Sequence, residues 1–184
     1  MRVLALDPSS TSTGFAVNDV LSDVPAYGTI VIPGAYPQEE RLLSTMQAIE
    51  RLIATFHVER LAWEIPVRGN LLRALDDALR AYCRRKKLPF GRYYPSSVKK
   101  AVTGHGDADK DAVGRAIYLL YPSLPAGLNE HECDAIAVLQ VDLGNLRLAE
   151  RIADQRERRI FMESLMRKRR RALEQSSKLP ARTP

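Results

Sequence analysis

The chain has 184 residues, which suits one ordinary globular domain and leaves little for a second, and its formal net charge is +6. Only four apolar residues stand in a row before Asp7, far short of a signal-peptide core or a membrane span. Cys83 and Cys133 lie far apart and belong to no Cys/His cluster with the spacing of a zinc site. We therefore expect a soluble, cytoplasmic protein with no membrane anchor.

The positive charge is concentrated at the C-terminal end. Residues 146–184 hold 12 Lys and Arg against 5 Asp and Glu, a net charge of +7, whereas residues 1–145 sum to −1. Such a tail suits a polyanionic partner, because each cation that neutralises a phosphate releases counterions. A solubilising charged helix has the same composition, so charge alone leaves both interpretations open.

The hydrophobic pattern predicts strands first, then alternating helices and strands. Period-2 and short apolar runs bounded by turn residues indicate strands, and apolar residues at helical spacing indicate amphipathic helices. The predicted strands are 2–8, 14–19, 27–33, 59–65 and 90–94; the predicted helices are 39–56, 70–87, Pro95 to about Gly104, a helix capped by Asp107 or Asp109 that runs to Leu120, and Glu130 to Leu143.

This element order indicates the fold class. Three antiparallel strands, then alternating helices and parallel strands, then a closing helix is the order of the ribonuclease H-like α/β fold, with a mixed five-stranded sheet flanked by helices. We predict one such domain over residues 1–145. Residues 146–184 are predicted to form a basic helical extension, of which the final ten or so residues are expected to be disordered.

Four side chains that can bind metal fall where this fold would bring them together. Asp7 and Glu64 each end a strongly apolar strand, where a charge is costly unless it is paired, bound to metal or at the open end of the sheet. His131 and Asp134 are three residues apart and share one helix face. Carboxylates gathered in this way hold Mg²⁺ or Mn²⁺. Two such ions, about 3.5–4 Å apart, can activate a water and stabilise the leaving oxygen of a phosphodiester.

Each of the four residues also has an ordinary structural interpretation. Asp7 opens an Asp-Pro-Ser-Ser sequence that is typical of a turn, and Glu64 could be a plain strand-end carboxylate. Asp134 could be a first-turn acid favoured by the helix dipole, and His131 a residue at the helix start. Only their joint placement favours a metal site.

The motifs around these residues resemble those of the RuvC family of Holliday-junction resolvases. LALDPSSTSTGFAV is similar to the family's opening motif, with Asp7 in the place of the first acid. LAWEIP resembles the second motif, with Glu64 as its acid, and HECDAIAV resembles the last, with Asp134 before a small-residue helical run. The resemblance covers about residues 2–143.

Two basic segments suggest contacts with DNA. PSSVKKAVTGHGDADKDAV resembles the family's basic stretch, with Lys99 and Lys110 in matching places, and together with Lys100 they suit phosphate contacts beside the metal centre. A solvated helix face is the alternative. The second segment lies outside the resemblance and is interpreted as an added DNA-binding helix; its residues are Arg167, Lys168, Arg169, Arg170 and Arg171.

The resemblance implies a homodimeric endonuclease that depends on Mg²⁺ or Mn²⁺, binds four-way junctions and nicks two strands symmetrically. Two positions depart from the family pattern. His131 stands where many members have Asp, which is expected to change the metal preference. Val67 stands where an aromatic wedge often follows the second acid, which leaves strict junction specificity open.

Three other functions fit parts of the sequence. DPSSTSTG also resembles the phosphate loop of actin-like and sugar-kinase ATPases, but those proteins need two duplicated domains. A non-catalytic DNA-binding module would normally lack one of the four metal-binding residues, and none is missing here. The nearest rival is a nuclease that acts on flaps, forks or precursor RNA, because a fold does not fix a substrate.

Overall fold

The structure, a computed structural model, describes residues 1–19 and 21–176, with side chains except at residues 165 and 168–176. The described part contains five strands and five helices. The strands are β1 (Val3–Asp7), β2 (Ser12–Val17), β3 (Ala26–Val31), β4 (Arg60–Glu64) and β5 (Phe90–Tyr93). The helices are α1 (Gln38–Thr55), α2 (Asn70–Lys86), α3 (Pro95–Thr103), α4 (Lys110–Leu120) and α5 (Glu130–Ser176).

The strands form one mixed sheet in the order β3-β2-β1-β4-β5. The first three strands pair antiparallel, and β1–β4 and β4–β5 pair parallel. The predicted mixed five-stranded sheet is therefore confirmed. Because β1 and β4 are parallel neighbours, their carboxyl ends meet at one edge of the sheet, where such folds place their functional groups.

The two sheet faces carry different side chains. Large apolar residues of β1 and β4, among them Leu4, Leu6 and Trp63, belong to one buried cluster with residues of α1 and α2. On the opposite face, a row of small residues crosses four paired strands: Ala16, Ala5, Ala62 and Gly91. Small residues let a helix backbone approach closely, and α5 crosses the sheet on this face.

Two glycines show how closely α5 approaches the sheet. A Cβ added at Gly14 on β2 would lie 1.9 Å from the carbonyl oxygen of His131, and one added at Gly91 on β5 would lie 2.4 Å from Oδ1 of Asp142. Neither distance is compatible with a real side chain. The first turn of α5 is thus held against β2, and its fourth turn against β5.

The last helix is longer than the sequence predicts. We expected a helix to end at Leu143 and a separate helix-prone segment to follow, but α5 continues to Ser176. Gly144 is the only helix-breaking residue between the two segments, and an isolated glycine weakens a helix by about 1 kcal/mol without ending it. Asp109, one of the two candidate caps, is the N-cap of α4 and accepts a hydrogen bond from the Ala112 N–H.

The chain divides into two compact units at Gly144. The second unit, as far as it is described, is the helical residues 144–176, in which Leu148, Ile152, Met162 and Met166 are exposed. The predicted disordered end lies mostly outside the described residues. No helix in the described ranges combines the length and apolar character needed to span a membrane.

Candidate active site

The candidate site lies at the carboxyl ends of β1 and β4. Leu6 pairs with Trp63, so the next residues, Asp7 and Glu64, lie side by side at the end of adjacent parallel strands. Strand alternation puts both on the sheet face that α5 crosses. The first two turns of α5 carry His131 and Asp134. The fold therefore brings all four predicted site residues to one place.

Asp7 and His131 are in direct contact. Nδ1 of His131 lies 2.7 Å from Oδ2 of Asp7, a hydrogen bond in which the protonated ring nitrogen donates to the carboxylate. Asp7 is buried, and His131 is partly exposed. The hydrogen bond and the negative charge of Asp7 raise the pKa of His131 above its ordinary value, against the opposing effect of burial.

Glu64 and Asp134 are carboxylates in an unfavourable environment. Burial raises the pKa of Glu64 to about 8, and the nearby charges of Asp7 and Asp134 add to this effect. Burial and the charge of Asp7 raise the pKa of Asp134 to about 6. In the described part of the chain neither carboxylate has a hydrogen-bond or ion-pair partner. The site thus brings these two carboxyl groups close to Asp7, and their proximity makes it harder to ionise all three.

Comparison with known proteins assigns the chain to a family. Residues 3–141 match the family model described as crossover junction endodeoxyribonuclease RuvC. The chain belongs to the RuvC family. It is accordingly a hydrolytic nuclease, as the sequence resemblance implied, and the ATPase interpretation falls away.

Individual relatives agree with the family match. The RuvC of Thermobifida fusca is 34% identical over 174 residues, which cover 86% of this chain and 92% of the relative. The RuvC of Rickettsia akari is 31% identical over 147 residues, which cover 75% of this chain and 94% of the relative. The solved Thermus thermophilus RuvC aligns with a TM-score of 0.62 at 23% identity, covering 75% of this chain and 90% of that one, which confirms the ribonuclease H-like fold.

RuvC nucleases depend on a divalent cation, and the donor set of this centre suits one. Three carboxylates, two of them partly buried and unpaired, repel one another, and a hard cation with oxygen ligands relieves that repulsion. As the side chains lie, no three His, Cys, Asp or Glu groups of the described residues converge on one point. In this arrangement Oδ2 of Asp7 accepts the hydrogen bond from Nδ1 of His131. The four-ligand assignment stays a prediction.

Of the three predicted phosphate-contact lysines, two lie near the acids. The charges of Lys99 and Lys110 oppose part of the increase in the pKa of Glu64 and Asp134. Nζ of Lys99 donates to the carbonyl oxygen of Ala108 at 2.6 Å, and Lys110 forms an ion pair with Glu130. Lys100 is exposed, and no hydrogen bond or ion pair of the described structure ties it to the acids.

The basic run of the extension is only partly described. Arg167 is exposed on α5. The side chains of Lys168, Arg169, Arg170 and Arg171 lie outside the described part of the structure. The proposed DNA-binding role of this run stays a prediction.

The sequence interpretation missed a buried network that fixes α5 to the sheet. Fully buried Asp142 accepts two hydrogen bonds from Arg60, at 2.8 and 2.9 Å, and one from the Tyr93 hydroxyl at 2.6 Å. Arg60 begins β4, the strand that Glu64 ends, and Asp142 follows Asp134 by two helical turns. The network thus sets how the helix and the strand that bear the two acids lie together. Its signal in the sequence was an acid among the apolar residues of a predicted core helix.

A second missed contact supports Glu64 from the other side. Nε1 of Trp63 donates to Oδ1 of Asp76 at 2.8 Å, and Arg92 forms a bidentate pair with the same carboxylate at 3.0 and 2.7 Å. Asp76 is buried on α2. The indole next to Glu64 is therefore held in one orientation, and the end of β4 is fixed from both faces of the sheet.

Proposed function

We propose that this RuvC-family chain resolves four-way DNA junctions, as a homodimer that makes paired symmetric nicks with Mg²⁺ or Mn²⁺. The observation that carries the proposal is the group of three repelling carboxylates, Asp7, Glu64 and Asp134, at the joined ends of β1 and β4. The Thermus thermophilus RuvC, which has the same fold, has been solved in complex with a Holliday junction substrate.

The residues of the centre divide into metal-holding and phosphate-facing groups. Asp7, Glu64, Asp134 and His131 would hold the divalent cations, which in a two-metal site activate a water and stabilise the leaving oxygen. Lys99 and Lys110 place positive charge beside the acids, so that a phosphate can approach them. The hydrogen bond from Lys99 to Ala108 fixes its ammonium group in position.

The homodimer follows from the reaction. Two symmetric nicks across a junction need two equivalent active centres, and the described chain provides one. A twofold axis would relate them in the same way as it relates the opposite strands of the junction. Sedimentation of the protein, alone and with an excess of junction, measures this stoichiometry.

The proposal predicts that Asp7→Asn, Glu64→Gln and Asp134→Asn each reduce junction cleavage by at least about a thousandfold while junction binding survives. The reason is that these groups hold metal rather than DNA, and loss of a carboxylate near phosphate removes repulsion. The assay supplies Mn²⁺ with labelled four-way junction, flap, fork and linear duplex, and maps cleavage on every strand. Asp77→Asn, which changes an exposed acid on α2, is the matched control.

The same assay separates the rival functions. Full cleavage by any of the three variants refutes the site. Cleavage of flaps or forks in preference to junctions, or nicks without twofold symmetry, would assign the nuclease to another branched substrate. Binding without cleavage by the unaltered protein would indicate a non-catalytic DNA-binding module.

A further inference from the structure

The turn between β1 and β2, residues 8–11, lies at the carboxyl edge of the sheet directly after Asp7. It contains Ser9, Ser10 and Thr11, whose hydroxyl groups take part in no hydrogen bond of the described structure. Ser10 is exposed, and the other two are partly exposed. The proposed two-metal chemistry uses Asp7 and gives these three hydroxyl groups no role.

Arg41 lies against this turn from the first helical turn of α1. Its Nη1 is 3.4 Å from the carbonyl oxygen of Ser10, a long hydrogen bond. Its Nε is buried and has no hydrogen-bond partner among the described residues. A buried donor without a partner costs free energy, so a fold that keeps one in place is expected to use the group.

The positive charge of Arg41 is not neutralised within the described structure. No carboxylate of the described residues lies within ion-pair distance of its guanidinium, although Glu39 and Glu40 precede it in α1 as exposed acids. By contrast, Arg60 and Arg92, which are also partly buried, each pair with a buried aspartate. A partly buried cation without an acidic partner suits an anion that another molecule supplies.

Arg41 and the turn lie on the opposite side of the acids from the two lysines. In the sheet, β1 lies between β2 and β4, so the β1–β2 turn adjoins Asp7 on the side away from Glu64. Lys99 and Lys110 follow β5 in the chain and act on Glu64 and Asp134. A DNA strand with one phosphate at the acids would therefore meet positive charge on both sides of that phosphate.

We infer that Arg41, together with the hydroxyl groups of Ser9 and Ser10, binds the backbone phosphate next to the one that lies at Asp7, in the strand to be cleaved. The inference rests on the proposed function of the acidic centre. Arginine binds phosphate through paired N–H donors, and serine hydroxyls and backbone N–H groups make similar contacts. Such a contact does not read the base sequence. It fixes the register of the strand, and so the place of the scissile phosphate relative to Asp7.

The test measures binding of the full-length protein to four-way junctions in EDTA, where cleavage does not occur. Single backbone phosphates around the branch point are replaced in turn by an uncharged methylphosphonate. For the unaltered protein we expect a loss of about tenfold in affinity at the phosphate next to the mapped nick, the size of one lost charge-assisted hydrogen bond.

Arg41→Gln, which removes the charge and keeps a polar side chain, should show a similar loss with unmodified DNA. It should show no further loss when the same phosphate is replaced, because the contact is already broken. The slope of the logarithm of the binding constant against that of salt concentration should also become shallower by about one.

Arg51→Gln is the matched control, because Arg51 is an exposed arginine further along the same helix. It should retain both the methylphosphonate effect and the salt slope of the unaltered protein. Urea denaturation measures whether each variant is folded. If Arg41→Gln does not fold, Ser10→Asp replaces it. This variant brings a carboxylate to Arg41 at an exposed position and should likewise remove the effect at that phosphate.

The inference is overturned if no phosphate next to the nick weakens binding when it is neutralised. It is also overturned if Arg41→Gln, or Ser10→Asp in its place, retains the full effect, or if Arg51→Gln removes it. The proposed function fails separately, when junctions are bound but not cleaved with Mn²⁺. A methylphosphonate effect coupled to Arg41 would then keep the phosphate site and remove only the proposed reaction, whereas failure to bind junctions would remove both.

Discussion

Among the described residues whose pKa is given as a value, Glu64 is the one that the fold shifts furthest. Its pKa of about 8 lies above the ordinary value of 4.5, and that of Asp134, about 6, lies above 3.8. A raised carboxyl pKa means that the folded protein binds the proton more tightly than the unfolded chain does. The resulting stabilisation is fully present below the pKa of the unfolded chain. It is lost as the pH rises through the pKa of the folded protein.

Glu64→Gln should therefore raise the free energy of unfolding of the metal-free protein at pH 8.5 and have little effect at pH 4.5. The expected gain is about 1–2 kcal/mol, because solvent at this partly exposed site reduces both the cost of burying the charge and its repulsion by Asp7 and Asp134. Urea denaturation in EDTA at the two pH values measures it. An equal change in the free energy of unfolding at both pH values would show that ionisation of Glu64 does not destabilise the folded protein.

His131 is the residue at which ligand chemistry distinguishes metals. Imidazole is a softer and neutral donor, so three carboxylates and one histidine should favour Mn²⁺ over Mg²⁺ more than four carboxylates do. We expect the unaltered protein to be more active with Mn²⁺, His131→Asp to remain active with a shift toward Mg²⁺, and His131→Ala to lose most turnover. Single-turnover cleavage rates titrated with each metal measure this.

A His131→Ala variant that cleaves like the unaltered protein would make His131 merely the hydrogen-bond partner of Asp7. Glu130 and Glu132 would then be the next candidates in the same helical turn. Both are already engaged, however: Glu130 pairs with Lys110, and Glu132 accepts from the Asn129 N–H and the Thr29 hydroxyl. His131 is engaged as well, but its partner is Asp7, which belongs to the proposed site itself.

At the scale of elements, the site depends on how closely α5 lies on the sheet. Gly14→Ala would put a Cβ 1.9 Å from the His131 carbonyl oxygen. We expect it to lower the free energy of unfolding by about 3 kcal/mol, as overpacking does, and to reduce cleavage by moving His131 and Asp134 away from Asp7. Urea denaturation and cleavage rates measure the two effects.

The matched control makes the same substitution where space is available. Gly114→Ala adds a Cβ that meets nothing within 4 Å, so it should be neutral or stabilise α4. If the Gly14→Ala and Gly114→Ala variants had the same free energy of unfolding, α5 would not lie as close to β2 as described here. Loss of stability without loss of cleavage would separate the contact from the placement of the site.

At the scale of the whole molecule, the chain joins a near-neutral unit to a basic one. Truncation after Gly144 should weaken DNA binding and flatten its salt dependence, because the removed cations contact phosphate without regard to sequence. The measurement is the slope of the logarithm of the binding constant against that of salt concentration. The truncated protein should still melt cooperatively and cleave at low salt.

An unchanged slope in the folded, truncated protein would end the DNA-binding interpretation of the extension. Insolubility would indicate that residues 1–144 need the extension to stay folded in solution. The exposed residues Leu148, Ile152, Met162 and Met166 provide apolar surface in this charged helix.

The sequence by itself predicted the order of the elements, though not the length of α5, and proposed the residues of the site. Apolar periodicity located the strands and helices, and the strand ends at Asp7 and Glu64 had to meet once β1 and β4 were parallel neighbours. The motifs implied the RuvC family, which the comparisons confirm. Local pattern is enough for these conclusions, because strand and helix periods are properties of short segments.

Only the tertiary structure decided how the site residues act on one another. The hydrogen bond between His131 and Asp7 joins residues 124 positions apart, and the Arg60–Asp142 pair spans 82. The high pKa of Glu64, the pairing of Lys110 with Glu130 and the position of Arg41 against the β1–β2 turn likewise arise from packing. Burial and electrostatic fields are sums over neighbours in space, and the order of residues along the chain does not contain them.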